Sequence, residues 1–387
     1  MSSARSRRSP RGTRTSGRAP GRTRGRLGLR EQTIVWFSLC AVGMASILVA
    51  LLGFREALFG GIGAVAMSST YSYGLAARTG GRPFVAGALA FLLGVAVFVV
   101  DSDRMRTGAA VMMAVISAVF AVMGTTPAVT FPRAARECAV ATVIATVGSL
   151  AAIGYAPVVT VNRFQYAALA LALIGAFLLV YRLGAGLHGL GRRGLATVTA
   201  GGVLLLATLL YAEAIRRYGT PGLIGSLRDG VIWLRDHLGG YPRPIEALLG
   251  VPALAWGTHM RARRRQGWWV CAFGVAATAP MASTFINPEV SVLEGLLSIA
   301  YSLVVGLLLG YLVIRADLFV TGSRARGRRE GRGGRAGRTA RAAGGRRRAE
   351  VVEPEQPRPT APGRRAARQA EEAAAVRPEP GRAQALL

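Results

Sequence analysis

The chain has 387 residues, 51% of them hydrophobic, a mean hydropathy of +0.37 and a formal charge of +29. A soluble chain of this length usually divides into two or three domains with charge spread throughout. Here the charge is segregated: residues 1–32 hold ten Arg against Glu31 alone and residues 321–387 hold seventeen Arg against seven Glu, which excludes an ordinary soluble globular protein.

All 48 basic residues are Arg. With Ala and Gly abundant everywhere, this reads as coding bias rather than selection for bidentate phosphate contacts. The N-terminal segment, residues 1–32, reads as a disordered basic tail. Ten apolar runs follow, at about 33–53, 57–77, 83–100, 108–128, 138–156, 164–181, 195–212, 244–259, 268–286 and 291–314. Runs of this length cross a hydrocarbon layer of roughly 30 Å as helices, which satisfy their own backbone hydrogen bonds there. The first run follows a basic segment but is too long for a leader, and no small-residue cleavage site follows it. Ser6-Arg7-Arg8 also lacks the apolar continuation of a twin-Arg signal, so the run reads as an anchor. The predicted fold class is therefore all-α: a polytopic transmembrane helix bundle of about ten spans over residues 33–320, with Arg-rich tails at both ends.

Loop charges orient this map. With the N-terminus in the cytoplasm, the inner gaps and the end of the last span carry twelve Arg and two acids, whereas the outer gaps carry nine of each. Basic residues near span ends mark the cytoplasmic side. The reading is a bacterial cell-membrane protein with both termini cytoplasmic. The weakest span is the eighth, short and interrupted by Pro252. Without it, Arg261, Arg263, Arg264 and Arg265 and the C-terminal tail would fall outside, so it is kept as a crossing element. Trp268 and Trp269 then suit an aromatic belt.

In the second span the run Ser68-Ser69-Thr70-Tyr71-Ser72-Tyr73 reads either as interhelical hydrogen bonding or as the lining of a wet crevice. Residues 213–243 form the long outer segment. Thr220-Pro221 starts a helix there, Leu223, Leu227, Val231, Leu234 and Leu238 share a face, and Gly239-Gly240 closes it. This amphipathic helix lies flat on the outer leaflet or caps the bundle, with a substrate lid as the other reading. Ser298, Ser302, Gly306 and Gly310 repeat every four positions in the tenth span, and Ala86, Ala90 and Gly94 do so in the third. Such stripes allow close helix approach, within the chain or between two copies.

Ionisable groups inside the spans are scarce. Glu246 and Glu294 read as lying near outer span ends, within reach of water, and His259 near an inner end. Ion-coupled transport is therefore disfavoured. The cysteines Cys40, Cys138 and Cys271 and the histidines His188, His237 and His259 are too dispersed to hold a metal, and no nucleotide or hydrolase motif is present, so no cofactor is expected. Asp229, Asp236 and Glu246, near outer arginines, are the candidate carboxylates for a glycan transferase, with solvated charges on a surface helix the plainer reading.

Residues 321–387 read as a second disordered basic tail. Arg328, Arg329, Arg346, Arg347 and Arg348, with Arg261, Arg263, Arg264 and Arg265, are candidates for contact with anionic lipid headgroups at the inner leaflet or with an acidic protein partner; nucleic acid is the weaker alternative.

Two resemblances bear on this map. Tyr241-Pro242-Arg243-Pro244, Gly250-Val251-Pro252-Ala253-Leu254, the Arg261–Arg265 cluster and Gln266-Gly267-Trp268-Trp269 resemble uncharacterised multi-pass membrane proteins of actinobacteria, which implies a membrane bundle and no particular activity. The layout of ten spans, with both termini inside and a long outer loop after the seventh, is similar to that of the shape, elongation and division glycosyltransferases. The Gly- and Ser-rich signatures of that family are not matched, so no catalytic residue carries over. The leading functional expectation is a non-enzymatic envelope scaffold acting through its tails. The alternatives are an uncoupled transporter or flippase of an apolar or lipid-like substrate, supported by a cavity reaching the Ser68–Tyr73 run, and an outer-face glycan transferase.

Overall fold

A chain in hydrocarbon has no water to bond its amides, so spanning segments become helices or closed barrels. In the computed structural model, which describes residues 29–183, 191–263 and 267–343, the described residues form helices and no strand. In order these are α1 (Leu29–Leu51), α2 (Glu56–Arg78), α3 (Pro83–Val100), α4 (Asp103–Gly124), α5 (Phe131–Ile153), α6 (Val161–Arg182), α7 (Gly191–Tyr218) and α8 (Pro221–Leu238). A π-helical turn, Ile245–Gly250, leads into α9 (Val251–Arg261); α10 (Gly267–Ala272), α11 (Val275–Thr278), α12 (Pro280–Ile286) and α13 (Val292–Ala343) complete the described chain. The protein is an all-α polytopic helix bundle in which 8 described helical segments are long and apolar enough to cross a membrane.

The other two expected spans are helical as well. α2 has 23 residues, ample length, but its Ser68–Tyr73 run makes it less apolar. The eighth is shorter: a π turn of 6 residues and an α-helix of 11. Residues 241–243 precede it outside any helix. Amides two apart there bond serines four apart on α13, roughly 6 Å of helical rise, so the chain advances about 3 Å per residue, as extended backbone does, against 1.5 Å in a helix. That extended lead-in is how so short a helix still runs the height of the bundle.

The centre of the bundle is the segment Gly267–Ile286, buried throughout except at Trp268 and Ile286. It is split into α10, α11 and α12 and packs antiparallel on the 245–261 segment through glycines. A Cβ on Gly250 would collide with the backbone of Ala277, one on Gly257 would lie 2.6 Å from the Cys271 nitrogen, and one on Gly267 would strike the Arg261 nitrogen. Backbones approach this closely only where side chains are missing. α4, α5, α6 and α13 surround the hairpin, α1, α2 and α3 form a layer against α4 and α5, and α7 leans on Phe273 through Gly201.

α8 is the expected amphipathic helix. Gly239, at φ 69°, ends it in the left-handed region that favours glycine. Its C-terminal end is tied to the start of α13: Arg235 pairs with Glu294 at 2.6 Å (Nε to Oε1) and 2.8 Å (Nη2 to Oε2), and Tyr301 donates to the Leu238 carbonyl at 2.9 Å. This bond to Glu294 holds the Arg235 guanidinium above its ordinary pKa. Leu227, Ile232 and Trp233 remain exposed, as on a helix lying at a lipid interface.

α13 runs on to Ala343, so residues 321–343, expected as disordered tail, are helical. Extending an existing helix avoids the nucleation cost, and Arg and Ala are good helix formers. The expected disorder of residues 1–28 and 344–387 lies outside the described residues.

Gly250→Ala is expected to lower the stability of the detergent-solubilised protein by about 1 to 3 kcal/mol, because the added methyl forces the hairpin backbones apart. A thermal melt checks this; an unchanged melting temperature contradicts the close approach.

Candidate functional site

The two prolines of Tyr241-Pro242-Arg243-Pro244 bring no amide donor and resist helix formation. Two donors remain in the extended lead-in, and both are met by one helix. The Tyr241 amide donates to Ser298 Oγ at 3.2 Å and the Arg243 amide to Ser302 Oγ at 2.8 Å. Serines four apart on α13 thus match amides two apart in extended chain. Further along the same stripe, a Cβ on Gly306 would lie 2.5 Å from Val251 Cβ and one on Gly310 would lie 2.9 Å from Ala255 Cβ. The stripe of Ser298, Ser302, Gly306 and Gly310 packs within the chain, against the lead-in, the π turn and α9.

This arrangement carries Glu246 into the bundle. Ser302 lies ten residues beyond Val292, roughly 15 Å along the helix, about half of a ~30 Å hydrocarbon layer. Glu246, three residues past Arg243, is 1% exposed, and neither carboxylate oxygen has a hydrogen-bond partner. The Ser302 hydroxyl and the Arg243 guanidinium lie near it without reaching hydrogen-bond geometry, and Arg243 Nε is itself buried without a partner. The expectation that water reaches Glu246 is therefore corrected: a hydropathy window starting at residue 244 places it at a span end, whereas the extended lead-in has already carried the chain inward. Glu294, also expected to face water, is paired with Arg235, and His259, expected near a span end, is buried. An unpartnered ionisable group at this depth is costly and marks a functional position by default.

At the opposite end of the bundle two guanidiniums meet the last turn of α4. Arg78 donates through Nε to the Met123 carbonyl at 3.0 Å and through Nη2 to the Thr125 carbonyl at 3.3 Å. Arg261 donates to the Thr125 carbonyl at 3.1 Å and hydroxyl at 2.8 Å, with its guanidinium carbon 3.5 Å from the centre of the Trp268 ring. Cations are favoured at a helix C-terminus, where carbonyls are left without helical partners. Arg261 is buried, so its assignment to lipid contact is corrected; Arg263 is exposed, and Arg264 and Arg265 lie outside the described residues.

A lateral groove of about 770 Å³ runs between α2, α3 and α4. It extends from Thr79 and Arg82 at the Arg261 end of the bundle, past Ala86, Ala90 and Gly94, to Val97, Met105 and Tyr155 at the Val292 end. Its wall is apolar apart from groups such as Ser68, Ser72 and Tyr155, where Ser68 Oγ and Tyr155 Oη share a hydrogen bond of 2.7 Å. The rest of the polar run is divided. Ser69 and Thr70 bond back to carbonyls of their own helix, at Val65 and Ala66, while Tyr71 donates to the Ile144 carbonyl on α5 at 2.9 Å. The run thus serves interhelical bonding, while Ser68 and Ser72 also line a groove whose walls are apolar, not the wet crevice of the other reading.

Asp229 and Asp236 are exposed on α8, whereas Glu246 is buried beneath Ser302, so the three carboxylates proposed for glycan transfer do not share a site. Arg328 and Arg329 fall on the extension of α13; Arg346, Arg347 and Arg348 lie outside the described residues. Among the described residues no cluster of His, Cys, Asp and Glu could hold a metal ion. Sequence reading missed Tyr155, which lines the Val292 end of the groove, and Phe98 and Arg106, which line a separate cavity beside it. The geometry defines a membrane-embedded helix bundle with a lateral groove and an interrupted central hairpin. No protein-family model, curated protein or solved structure matches the chain.

Two pairs of variants check this geometry. Ser302→Ala should cost about 1 to 3 kcal/mol by orphaning the Arg243 amide. Glu246→Gln, which removes the charge and keeps the volume, should change stability by less than about 1 kcal/mol, because the buried carboxyl loses its desolvation cost and its attraction to Arg243 together. Arg261→Ala should cost about 2 kcal/mol or more, and Arg263→Ala less than about 0.5 kcal/mol. Equal effects in this second pair would place Arg261 on the surface. Thermal unfolding in detergent reads all four.

Proposed function

We propose that this protein moves an amphipathic, lipid-like molecule between the leaflets of a bacterial cell membrane, the α2–α3–α4 groove carrying its apolar part. One observation supports this above the others: the groove runs the height of the bundle on the lipid-facing side of α3, apolar along its walls and interrupted by the hydroxyls of Ser68, Ser72 and Tyr155. The interrupted hairpin supplies a part able to rearrange, since π turns and broken helices at membrane depth recur at functional sites and at the gates of transporters. The excess of Arg at the Arg261 end makes that end cytoplasmic, with both termini on the same side, and the Val292 end extracytoplasmic.

A scaffold acting through the Arg-rich tails was expected from a bland interior and from long charged termini; the buried Glu246 and Arg261 weaken the first of these grounds and leave the second in place.

The test is a scrambling assay. Purified full-length protein is reconstituted into vesicles carrying a headgroup-labelled fluorescent phospholipid, and an impermeant reductant reports the label reaching the outer leaflet. Wild type should expose more label than protein-free vesicles. Ala90→Trp, which fills the groove, should slow the exposure severalfold, and Leu308→Trp, on an exposed face of α13, should not. No scrambling above the protein-free rate, or equal rates in the two variants, would sink the proposal.

A further inference from the structure

A second cavity, of about 520 Å³, opens at the Val292 end, where α1 ends, α2 begins, α3 ends and the chain turns after α5. Ile47, Leu51, Phe285 and Ile286 give it an apolar floor, while Arg106 and Glu56 are its charged lining. Arg106 is held from two sides. One terminal nitrogen pairs with the Asp101 carboxylate, and the guanidinium carbon stands 5.9 Å from the centre of the Phe98 ring. Its side chain keeps 28% of its surface accessible, so part of the guanidinium faces the cavity.

The backbone around this cavity is strained. Arg55, Asp101 and Ala156 hold φ of 42°, 51° and 46°, the left-handed region that non-glycine residues enter at a cost. All three lie in the turns that rim the cavity, and such strain clusters at ligand sites. Between cavity and groove stands a single aromatic pair: the Phe98 and Tyr155 rings stack with centroids 5.8 Å apart. Phe98 lines the cavity and Tyr155 lines the groove.

We infer that this cavity is a headgroup site for a phospholipid-like amphipath, Arg106 receiving the phosphate through the accessible part of its guanidinium while the chains pass the Phe98–Tyr155 pair into the groove. The inference rests on the lipid-transport reading for the chains, whereas the phosphate contact is a property of the cavity alone. A guanidinium suits a phosphate because its donors are fixed in one plane and stay charged. Glu56, exposed on the rim, disfavours a second anionic group beside the first.

The experiment measures the thermal stability of the full-length protein in detergent against three probes: a short-chain phosphatidylglycerol, the diacylglycerol with the same chains, and inorganic phosphate. Phosphatidylglycerol is expected to stabilise wild type at lower concentration than either of the others. In Arg106→Gln its apparent Kd should rise about tenfold, the loss of one charge-assisted hydrogen bond, while the diacylglycerol response stays the same. Asp101→Asn keeps a residue tolerant of positive φ and releases the guanidinium, so it should bind phosphatidylglycerol at least as well as wild type; weaker binding there would contradict the inference. Equal responses to phosphatidylglycerol and diacylglycerol in wild type would overturn the headgroup site and leave the groove standing. Stabilisation by phosphate alone matching phosphatidylglycerol would identify a free-anion site and overturn the lipid assignment. Loss of the diacylglycerol response in Ala90→Trp, with phosphatidylglycerol still preferred, supports both sites; no diacylglycerol response in wild type counts against the groove alone.

Discussion

Hydrocarbon offers no hydrogen bonds, and the architecture follows from how this chain meets that constraint. Most of the spanning length answers it in the usual way, by helix. The segment from Tyr241 to Glu246 answers it differently: prolines at 242 and 244 remove two donors, and the donors of Tyr241 and Arg243 are taken by serines on successive turns of α13. Extended backbone at this depth is tolerated only where it is buried in protein or lines a cavity. The stripe on α13 is what permits it, since serines, glycines and nothing larger let the lead-in and α9 lie against the helix.

Once the lead-in is in place, the rest of the central hairpin is constrained. α9 begins deep in the bundle, and its partner returns against it at backbone distance through Gly250, Gly257 and Gly267. The partner keeps right-handed helical backbone across α10, α11 and α12 and tightens between Val270 and Ala277, where amides bond carbonyls three residues back. Two neighbouring departures from regular helix surrounded by α4, α5, α6 and α13 leave most of the structure rigid and concentrate irregular backbone in one place. Glu246 sits there, and the cost of holding an unpartnered carboxyl in that position is hard to account for by packing alone. The opposite end of the hairpin is fixed by Arg261 on the last carbonyls of α4, where Arg78 arrives from a second direction. Two guanidiniums on one helix terminus make that end an anchor.

The sequence showed the bundle because hydropathy over a window reports burial in lipid directly. It showed α8 because Thr220-Pro221, the Leu spacing and Gly239-Gly240 are local signals, each read within a turn of the residue that carries it. The small-residue stripe on the last span was visible too, though not what it faced. Depth was not legible. Glu246 is two residues inside the expected eighth span, and the window counted helical rise from residue 244, when the extended residues before it had already moved the chain inward. Arg261 was read as a surface charge because its neighbours are arginines; its burial depends on the end of α4, more than a hundred residues away in sequence. Groove and cavity are spaces between helices, and no single helix encodes a space. Ser68 and Ser72 hinted at one wall, whereas Phe98 and Tyr155 meet only through the packing of α3 on the turn after α5.

The two ends of the bundle thus differ in kind. At the Arg261 end, guanidiniums are spent on backbone carbonyls and the α4 terminus is closed. At the Val292 end, Arg106 keeps a buried donor unused, three non-glycine residues hold left-handed backbone, and α8 lies with exposed apolar side chains, tied at its C-terminal end. Unused donors and strained turns are costs that a purely structural end would have shed, since Asp101 or Ala156 replaced by glycine would relax them. A molecule entering the groove through the cavity at the Val292 end would meet a charged donor first and apolar walls afterwards. One entering from the Arg261 end would meet Arg82 and Thr79 beside apolar side chains. Both ends therefore offer a cation to a polar head: Arg82 lines the groove itself at one end, and Arg106 stands at the other behind the Phe98–Tyr155 pair, in the cavity rather than the groove.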